Sequence, residues 1–222
     1  MMYEFGLFGK FKNDILHAVF TRHADMKNLP REYAGGEPVR FYKQLHGANA
    51  YVITERIHRN IAREGLKGDA LITGLHGVPL LIRIADCAGI LIYDPRKKII
   101  ANIHAGWRGL AGGVIASCVD RMRAEFSCDP RNMFAAISPM LGPCCAKFSD
   151  PKNELPSFMQ KYILEGNKVD LWAAAEDQLR DCGIKTRNIE NARICTSCNI
   201  SEFFSYRREG GAGRFGTMIM LK

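Results

Sequence analysis

The chain has 222 residues, of which 47% are hydrophobic and 24% charged, close to the average for a globular domain and enough to build one sizeable core. Lys+Arg 31 against Asp+Glu 23 give a net charge of +8, which suits an anionic ligand, a nucleic acid or an acidic surface alike. The basic residues are scattered, and the densest groups, Arg96-Lys97-Lys98 and Arg207-Arg208, are short, so no nucleic-acid partner is expected.

Glu4, Lys10, Lys12 and Asp14 interrupt any apolar stretch near the start, so no signal peptide is expected. The longest apolar runs, such as Val78 to Ile82, fall far below the roughly 18 residues that span a bilayer, so no membrane partner is expected either. The eight cysteines are expected to be reduced thiols in the cytoplasm, because a chain of this size needs no disulfide staples.

In chain order, short apolar runs rich in β-branched residues predict strands over His17–Thr21, Tyr51–Thr54, Ala70–Thr73, Leu80–Ile84, Gly89–Tyr93, Ile99–His104, Met133–Ile137 and Thr217–Leu221. Several are apolar on both faces, which implies a buried sheet. From Trp107 the series Leu110, Val114, Cys118, Met122 and Phe126 predicts one long helix. A second, capped by Asp170, carries Leu171, Ala175, Leu179 and Cys182 and stops at Gly183. Several strand pairs are too close for a crossover helix, so the expected fold is α/β (α+β), a single domain over residues 1–222 with mixed β-sheets flanked by helices.

Three residues invite chemistry. His46 stands in Gln44-Leu45-His46-Gly47, where the glycine can break a strand and admit a ligand. Cys87 follows Asp86 in a polar break between two apolar strands; a lone Cys is usually a small hydrophobe, but a carboxylate beside it is poor core material unless it orients something. His104 ends a strand in His104-Ala105-Gly106-Trp107-Arg108-Gly109, just ahead of the long helix, where free amides favour an anion. The same glycines also suit a plain turn. Two His and one Cys drawn from three elements are what a catalytic zinc takes, leaving a fourth position for water. Their spacing alone does not bring them together.

The other cysteines argue less. Cys195-Thr196-Ser197-Cys198 is a CxxC, but Cys144-Cys145 is an adjacent pair with the wrong bite for a zinc ribbon, and no thioredoxin-like pattern surrounds either. Cys144, Cys145, Cys195 and Cys198 are therefore expected to hold no second zinc, and Cys118 and Cys182 to be core. Arg207 and Arg208, beside a glycine loop, could fork onto phosphate or form a solvated turn with Glu209.

Together QLHG (44–47), GDALIT (68–73), ADC (85–87), HAGWRG (104–109), GPCC (142–145), CTSC (195–198) and FFSYRREGGAGR (203–214) resemble the laccase-domain purine nucleoside phosphorylase family, formerly called the multicopper polyphenol oxidoreductase family. The likeness runs in order from about residue 17 to the C-terminus. It implies a mixed α/β fold with one zinc per chain, rather than copper, on His46, Cys87 and His104. It also implies phosphorolysis of adenosine, inosine, guanosine and methylthioadenosine, and deamination of adenosine. The substrates would be a purine nucleoside and phosphate, with Arg108, Arg207 and Arg208 as phosphate or charge partners. The chain departs from the family at Thr21-Arg22-His23-Ala24-Asp25, where relatives carry Gly-Gly, at Ser197 and at Ser138; none of these is a proposed ligand.

Two other classes stay open: a hydrolase or deamidase in which Cys87 is a nucleophile activated by His104, and a copper-dependent phenol oxidase, for which six histidines are few.

Overall fold

Strands that are apolar on both faces need cover on both, and the fold provides it in layers. The computed structural model describes residues 2–211 and 213–222; Met1 of the expected domain and Ala212 of the FFSYRREGGAGR stretch lie outside the described residues. The strands are β1 (Met2–Tyr3), β2 (Ile15–Phe20), β3 (Val39–Arg40), β4 (Lys43–Gln44), β5 (Ala50–Val52), β6 (Lys67–Gly68), β7 (Ala70–Thr73), β8 (Leu80–Ile84), β9 (Ala88–Asp94), β10 (Ile99–Ala105), β11 (Phe134–Ile137), β12 (Ile163–Leu164), β13 (Lys168–Val169), β14 (Ile189–Asn191) and β15 (Phe215–Leu221). The helices are α1 (Leu29–Ala34), α2 (Glu55–Glu64), α3 (Trp107–Ala111), α4 (Val114–Phe126), α5 (Pro151–Glu154), α6 (Leu171–Asp181) and α7 (Tyr206–Glu209).

Two sheets carry the structure, one in the order β1-β2-β15-β8-β3 and the other β14-β11-β9-β10-β7-β5. The pairs β3–β8, β5–β7 and β11–β14 are parallel and the rest of these ladders antiparallel, so the mixed α/β expectation holds. Alternation in β10 explains why the sequence looked apolar throughout. Ile99, Ala101, Ile103 and Ala105 join the core under α4 and α6, whereas Ile100 joins the core shared by the two sheets, with Leu80, Ile82, Leu91 and Ile219. Asn102, on that inner face, is fully buried and satisfied: its amide donates to the carbonyls of Leu80 (3.0 Å) and Thr217 (2.7 Å), and its Oδ1 accepts from Thr217 Oγ1 (3.0 Å). This polar stitch ties β10 to β8 and β15 across the sandwich. On the outer face of the first sheet, Ala18, Phe20, Leu81 and Met218 are covered by Leu29, Tyr33 and Ala34 of α1.

The long helix predicted from Trp107 is instead two, α3 and α4, because Gly113 adopts a left-handed backbone (φ 75°) that a continuous helix cannot contain. The Asp170 cap is as expected, its carboxylate accepting from Ala173 N–H at 2.9 Å, and Gly183 follows the helix end with φ 97°. Cys118 is buried against the sheet and Cys182 half-buried at the end of α6.

The sheets approach tightly where β9 faces β15. A Cβ on Gly89 would lie 2.2 Å from Thr217 Oγ1 and 2.9 Å from its Cβ, closer than atoms can approach. Gly89→Ala is therefore expected to force the sheets apart, costing about 2–3 kcal/mol and lowering Tm by roughly 5–10 °C in thermal unfolding. An unchanged Tm would mean the sandwich has slack at that point.

Candidate metal centre and cavity

The segment Ala85-Asp86-Cys87 carries the chain from β8 in one sheet to β9 in the other, which sets Cys87 at the seam. His104 lies at the end of β10, directly paired with Gly89 of β9. His46 sits in the turn after β4 with a left-handed backbone (φ 59°); the strand breaks before Gly47 as expected, though histidine rather than that glycine takes the unusual conformation. One ligand atom from each of His46, Cys87 and His104 lies within 4.8 Å of the others, and the two imidazoles meet edge to face at 4.7 Å. The three residues the sequence singled out thus converge.

The residue that arranges them is Asp69, whose role the sequence reading missed although GDALIT was singled out. Its Oδ1 accepts from His104 Nδ1 (2.9 Å) and from the His46 amide (2.8 Å), and its Oδ2 from the Gly47 amide (2.9 Å). The carboxylate side chain is fully shielded from solvent and that of His104 nearly so. With Nδ1–H given to Asp69, His104 turns Nε2 towards Cys87, the arrangement by which a carboxylate fixes the tautomer of a ligating histidine. The signal was present: an aspartate at the head of an apolar strand is costly to bury unless it is bonded.

Electrostatics follow from the same contacts. Burial pushes the Cys87 thiol up, but hydrogen bonds and charge from His104 and His46 outweigh it and bring it down to about 6. Burial pushes His104 down, and Asp69 and Cys87 reverse this to about 9. Burial also acts to raise Asp69, yet His104 and the Gly47 and His46 amides hold it below the ordinary carboxylate range. Between those values the favoured state is a Cys87 thiolate beside a protonated His104, held by a carboxylate. Two imidazole nitrogens and a thiolate around one point form a donor set that fits a catalytic zinc and is also compatible with copper. Gly106 leaves room for the sulfur, since a Cβ there would lie 2.7 Å from Cys87 Sγ.

The three residues border a cavity of about 1100 Å³. Arg108 reaches it with its guanidinium over the Trp107 ring at 4.1 Å. Arg40, Arg83 and Arg214 also line it and were not foreseen. Burial and the charges of Arg40 and Arg214 press Arg83 below the usual guanidinium range, so the wall is short of negative charge. Of the expected arginine pair, Arg207 lines the cavity while its guanidinium donates to the carbonyls of Cys145 (3.2 Å) and Lys147 (2.6 Å), and Arg208 is exposed and outside the lining. The helix dipole expected after His104 is also weaker than a long helix would give, because α3 has only five residues.

The divergent segment 21–25 packs on the C-terminal motif. Arg22 stacks over Phe204 at 4.4 Å, donates to the Ile200 carbonyl and pairs with Glu209 (3.0 Å). Among the described residues no helix is long and apolar enough to cross a membrane.

The family profile described as Multi-copper polyphenol oxidoreductase laccase matches residues 12–222. The Bacteroides thetaiotaomicron protein named purine nucleoside phosphorylase is 35% identical over 206 residues, covering 88% of this chain and 76% of its own length. A protein named adenosine deaminase RL5, from an unknown prokaryotic organism, is 32% identical over 196 residues, with 81% and 74% covered. The mouse protein named purine nucleoside phosphorylase LACC1 is 31% identical over 84% of this chain, which spans only 44% of that relative's length. The solved structure of the Bacillus licheniformis protein YfiH superposes with a TM-score of 0.83 at 26% identity, covering 94% of this chain and 93% of the other.

Asp69→Asn keeps the shape but replaces one acceptor oxygen with a donor, so His104 and the amides of His46 and Gly47 can no longer all be satisfied. Metal affinity, read by competition with a chelator, is expected to fall about 10–100-fold while circular dichroism stays native. Unchanged affinity would remove Asp69 from the site.

Proposed function

Starting from the chain's membership of the multi-copper polyphenol oxidoreductase laccase family, we propose that it is a purine nucleoside phosphorylase that also deaminates adenosine, working at the His46–Cys87–His104 corner of the cavity. The observation that carries this reading is the N, S, N donor convergence beside a cationic cavity large enough for a nucleoside and phosphate, against a usual range of about 300–1,000 Å³ for ligand sites. His46, Cys87 and His104 would hold one zinc ion, which when bound supplies Lewis acidity at neutral pH. The older copper-oxidase name fits less well: the chain has six histidines, and among the described residues the other metal-capable group consists of cysteines alone.

The remaining work falls to the chain's own residues. In phosphorolysis a phosphate oxygen forms a bond to the anomeric carbon while the bond from that carbon to the purine nitrogen breaks, and the departing purine takes a proton. Phosphate must shed water to reach the sugar. Arg83, Arg40 and Arg108 offer charge-assisted hydrogen bonds that offset that loss, and an anion relieves the repulsion of Arg40 and Arg214 on Arg83. Trp107, Tyr42 and Tyr206 line the same cavity and offer ring faces to a purine. In deamination water adds to the purine carbon bearing the amino group and ammonia leaves, a reaction that needs the donor corner and no phosphate.

A second reading has one observation in its favour. Cys87, His104 and Asp69 also form a nucleophile, base and orienting carboxylate in sequence, the pattern of a cysteine hydrolase. Complete chelation separates the two, because a thiolate–imidazolium pair survives metal removal.

The test follows adenosine with metal-quantified protein, with and without phosphate, measuring adenine, inosine and ammonia together. Adenine that requires phosphate, inosine with ammonia that does not, and loss of both after chelation are expected. Turnover that persists after chelation would establish the hydrolase reading, and neither product from metal-loaded protein would overturn the nucleoside reading. Arg83→Gln and Arg108→Gln are each expected to raise the phosphate KM about tenfold or more while deamination stays near wild type. Arg207→Gln, by freeing the two loop carbonyls, is expected to lower both reactions alike. Equal losses for Arg83→Gln or Arg108→Gln would assign that residue a structural or purine-positioning role.

A further inference from the structure

Four cysteines expected to hold no second zinc are gathered. The Sγ atoms of Cys144, Cys145, Cys195 and Cys198 lie within 4.8 Å of one another, with Cys198 3.6 Å from Cys144 and 3.5 Å from Cys145. We propose that the GPCC and CTSC turns together hold a second metal ion, a closed four-thiolate zinc site, separate from the His46–Cys87–His104 corner.

The spacing objection fails on local geometry. Adjacent residues of a strand point to opposite sides, but Cys144 and Cys145 lie in a tight turn closed by Cys145 N–H and Ala146 N–H donating to the Gly142 carbonyl (2.9 and 3.0 Å). Neighbouring side chains in such a turn diverge by about 100° rather than about 180°, so both sulfurs can face one point. The CTSC turn is closed in the same manner, with Cys198 N–H (3.2 Å) and Asn199 N–H (3.1 Å) on the Cys195 carbonyl, and Asn199 Nδ2 on it as well (2.8 Å). A short β-bridge between Met140 and Cys195 holds the two turns face to face.

Four properties favour zinc over idle thiols or a disulfide. Zn–S bonds of about 2.3 Å in a tetrahedron put the sulfurs about 3.8 Å apart, close to the contacts seen. A disulfide needs about 2.05 Å and one defined pair, whereas Cys198 is nearly equidistant from two partners. Thiols are weak hydrogen-bond donors and acceptors, so four of them gain little by assembling without an ion. The Gly142 N–H points at Cys195 Sγ (3.3 Å), a bond that strengthens when the sulfur is an anion. Binding would release one proton from each cysteine still protonated, and the Arg207 guanidinium on the carbonyls of Cys145 and Lys147 would offset part of the resulting negative charge.

The site would brace the cavity wall. Thr196 Oγ1 donates to Asp86 Oδ1 (2.6 Å), the Arg207 amide to Asp86 Oδ2 (2.6 Å), and the Leu141 amide to the Asp86 carbonyl (2.8 Å). Both turns thereby fix Asp86, whose left-handed backbone (φ 79°) sets the position of Cys87.

The experiment is metal analysis of reduced, extensively dialysed protein as wild type, as Cys144→Ser/Cys198→Ser, and as His46→Ala/His104→Ala. Cys144 and Cys198 are exposed, so the first double variant loses little packing. Wild type is expected to carry a second equivalent of zinc, and each double variant one equivalent. Cobalt loaded into His46→Ala/His104→Ala should show the strong thiolate charge-transfer bands of a four-sulfur site. A single equivalent in wild type that Cys144→Ser/Cys198→Ser retains would overturn the proposal, as would iron in place of zinc or a Cys195–Cys198 disulfide in reduced protein. If the cysteine variant fails to fold, thiol labelling of wild type decides: protection of these four thiols that chelation abolishes supports the site, and labelling unaffected by chelation refutes it.

Discussion

A fully shielded carboxylate with three hydrogen-bond donors converging on it governs this site. Asp69 would be expensive to bury alone, and its oxygens are satisfied only if the His46 turn folds back onto β7 and His104 presents Nδ1 from β10. Satisfying the carboxylate and assembling the site are therefore the same event. The His104 imidazole and the backbone of the His46 turn are positioned before any metal or substrate arrives, and the preorganisation is maintained by the fold's own stability.

The third residue of the donor set, Cys87, depends on a different constraint, the place where one sheet hands the chain to the other. The Asn102 stitch and the tight approach at Gly89 fix the separation of the two sheets beside that crossing. Asp86 at the crossing is gripped from the opposite side by the cysteine-bearing turns and the Arg207 amide. Cys87 is thus placed by both sheets and by the loops beyond them. Such an arrangement explains why a ligand set can be drawn from segments far apart in sequence and still be compact.

Much of this was legible beforehand, for identifiable reasons. The strands over 70–73 and 80–84 match the structure because β-branched apolar runs bounded by turn residues have few other uses. His46, Cys87 and His104 stood out because polar residues in breaks between buried strands need an explanation. The helix break at Gly113 was lost because the apolar stripe continues across it in register. Asp69 was hidden by looking only for ligands, although its second partner set is what a buried aspartate demands. Arg40 and Arg83 were invisible because their approach to Arg214 is produced by pairing of β3, β8 and β15, which no local pattern encodes. That the GPCC and CTSC cysteines gather was not legible, because an adjacent pair and a CxxC show their convergence only once both segments are tightly turned.

Everything proposed for this cavity depends on His46, Cys87 and His104 holding one metal ion where a nucleoside is transformed. Crystals grown with zinc and a purine nucleoside, measured on both sides of the zinc absorption edge, test it most directly. The account predicts an anomalous peak about 2.0–2.3 Å from one nitrogen of each histidine and from Cys87 Sγ, with the nucleoside in the adjoining cavity. A zinc-replete crystal with no peak between those three atoms, or a nucleoside bound elsewhere, would contradict it.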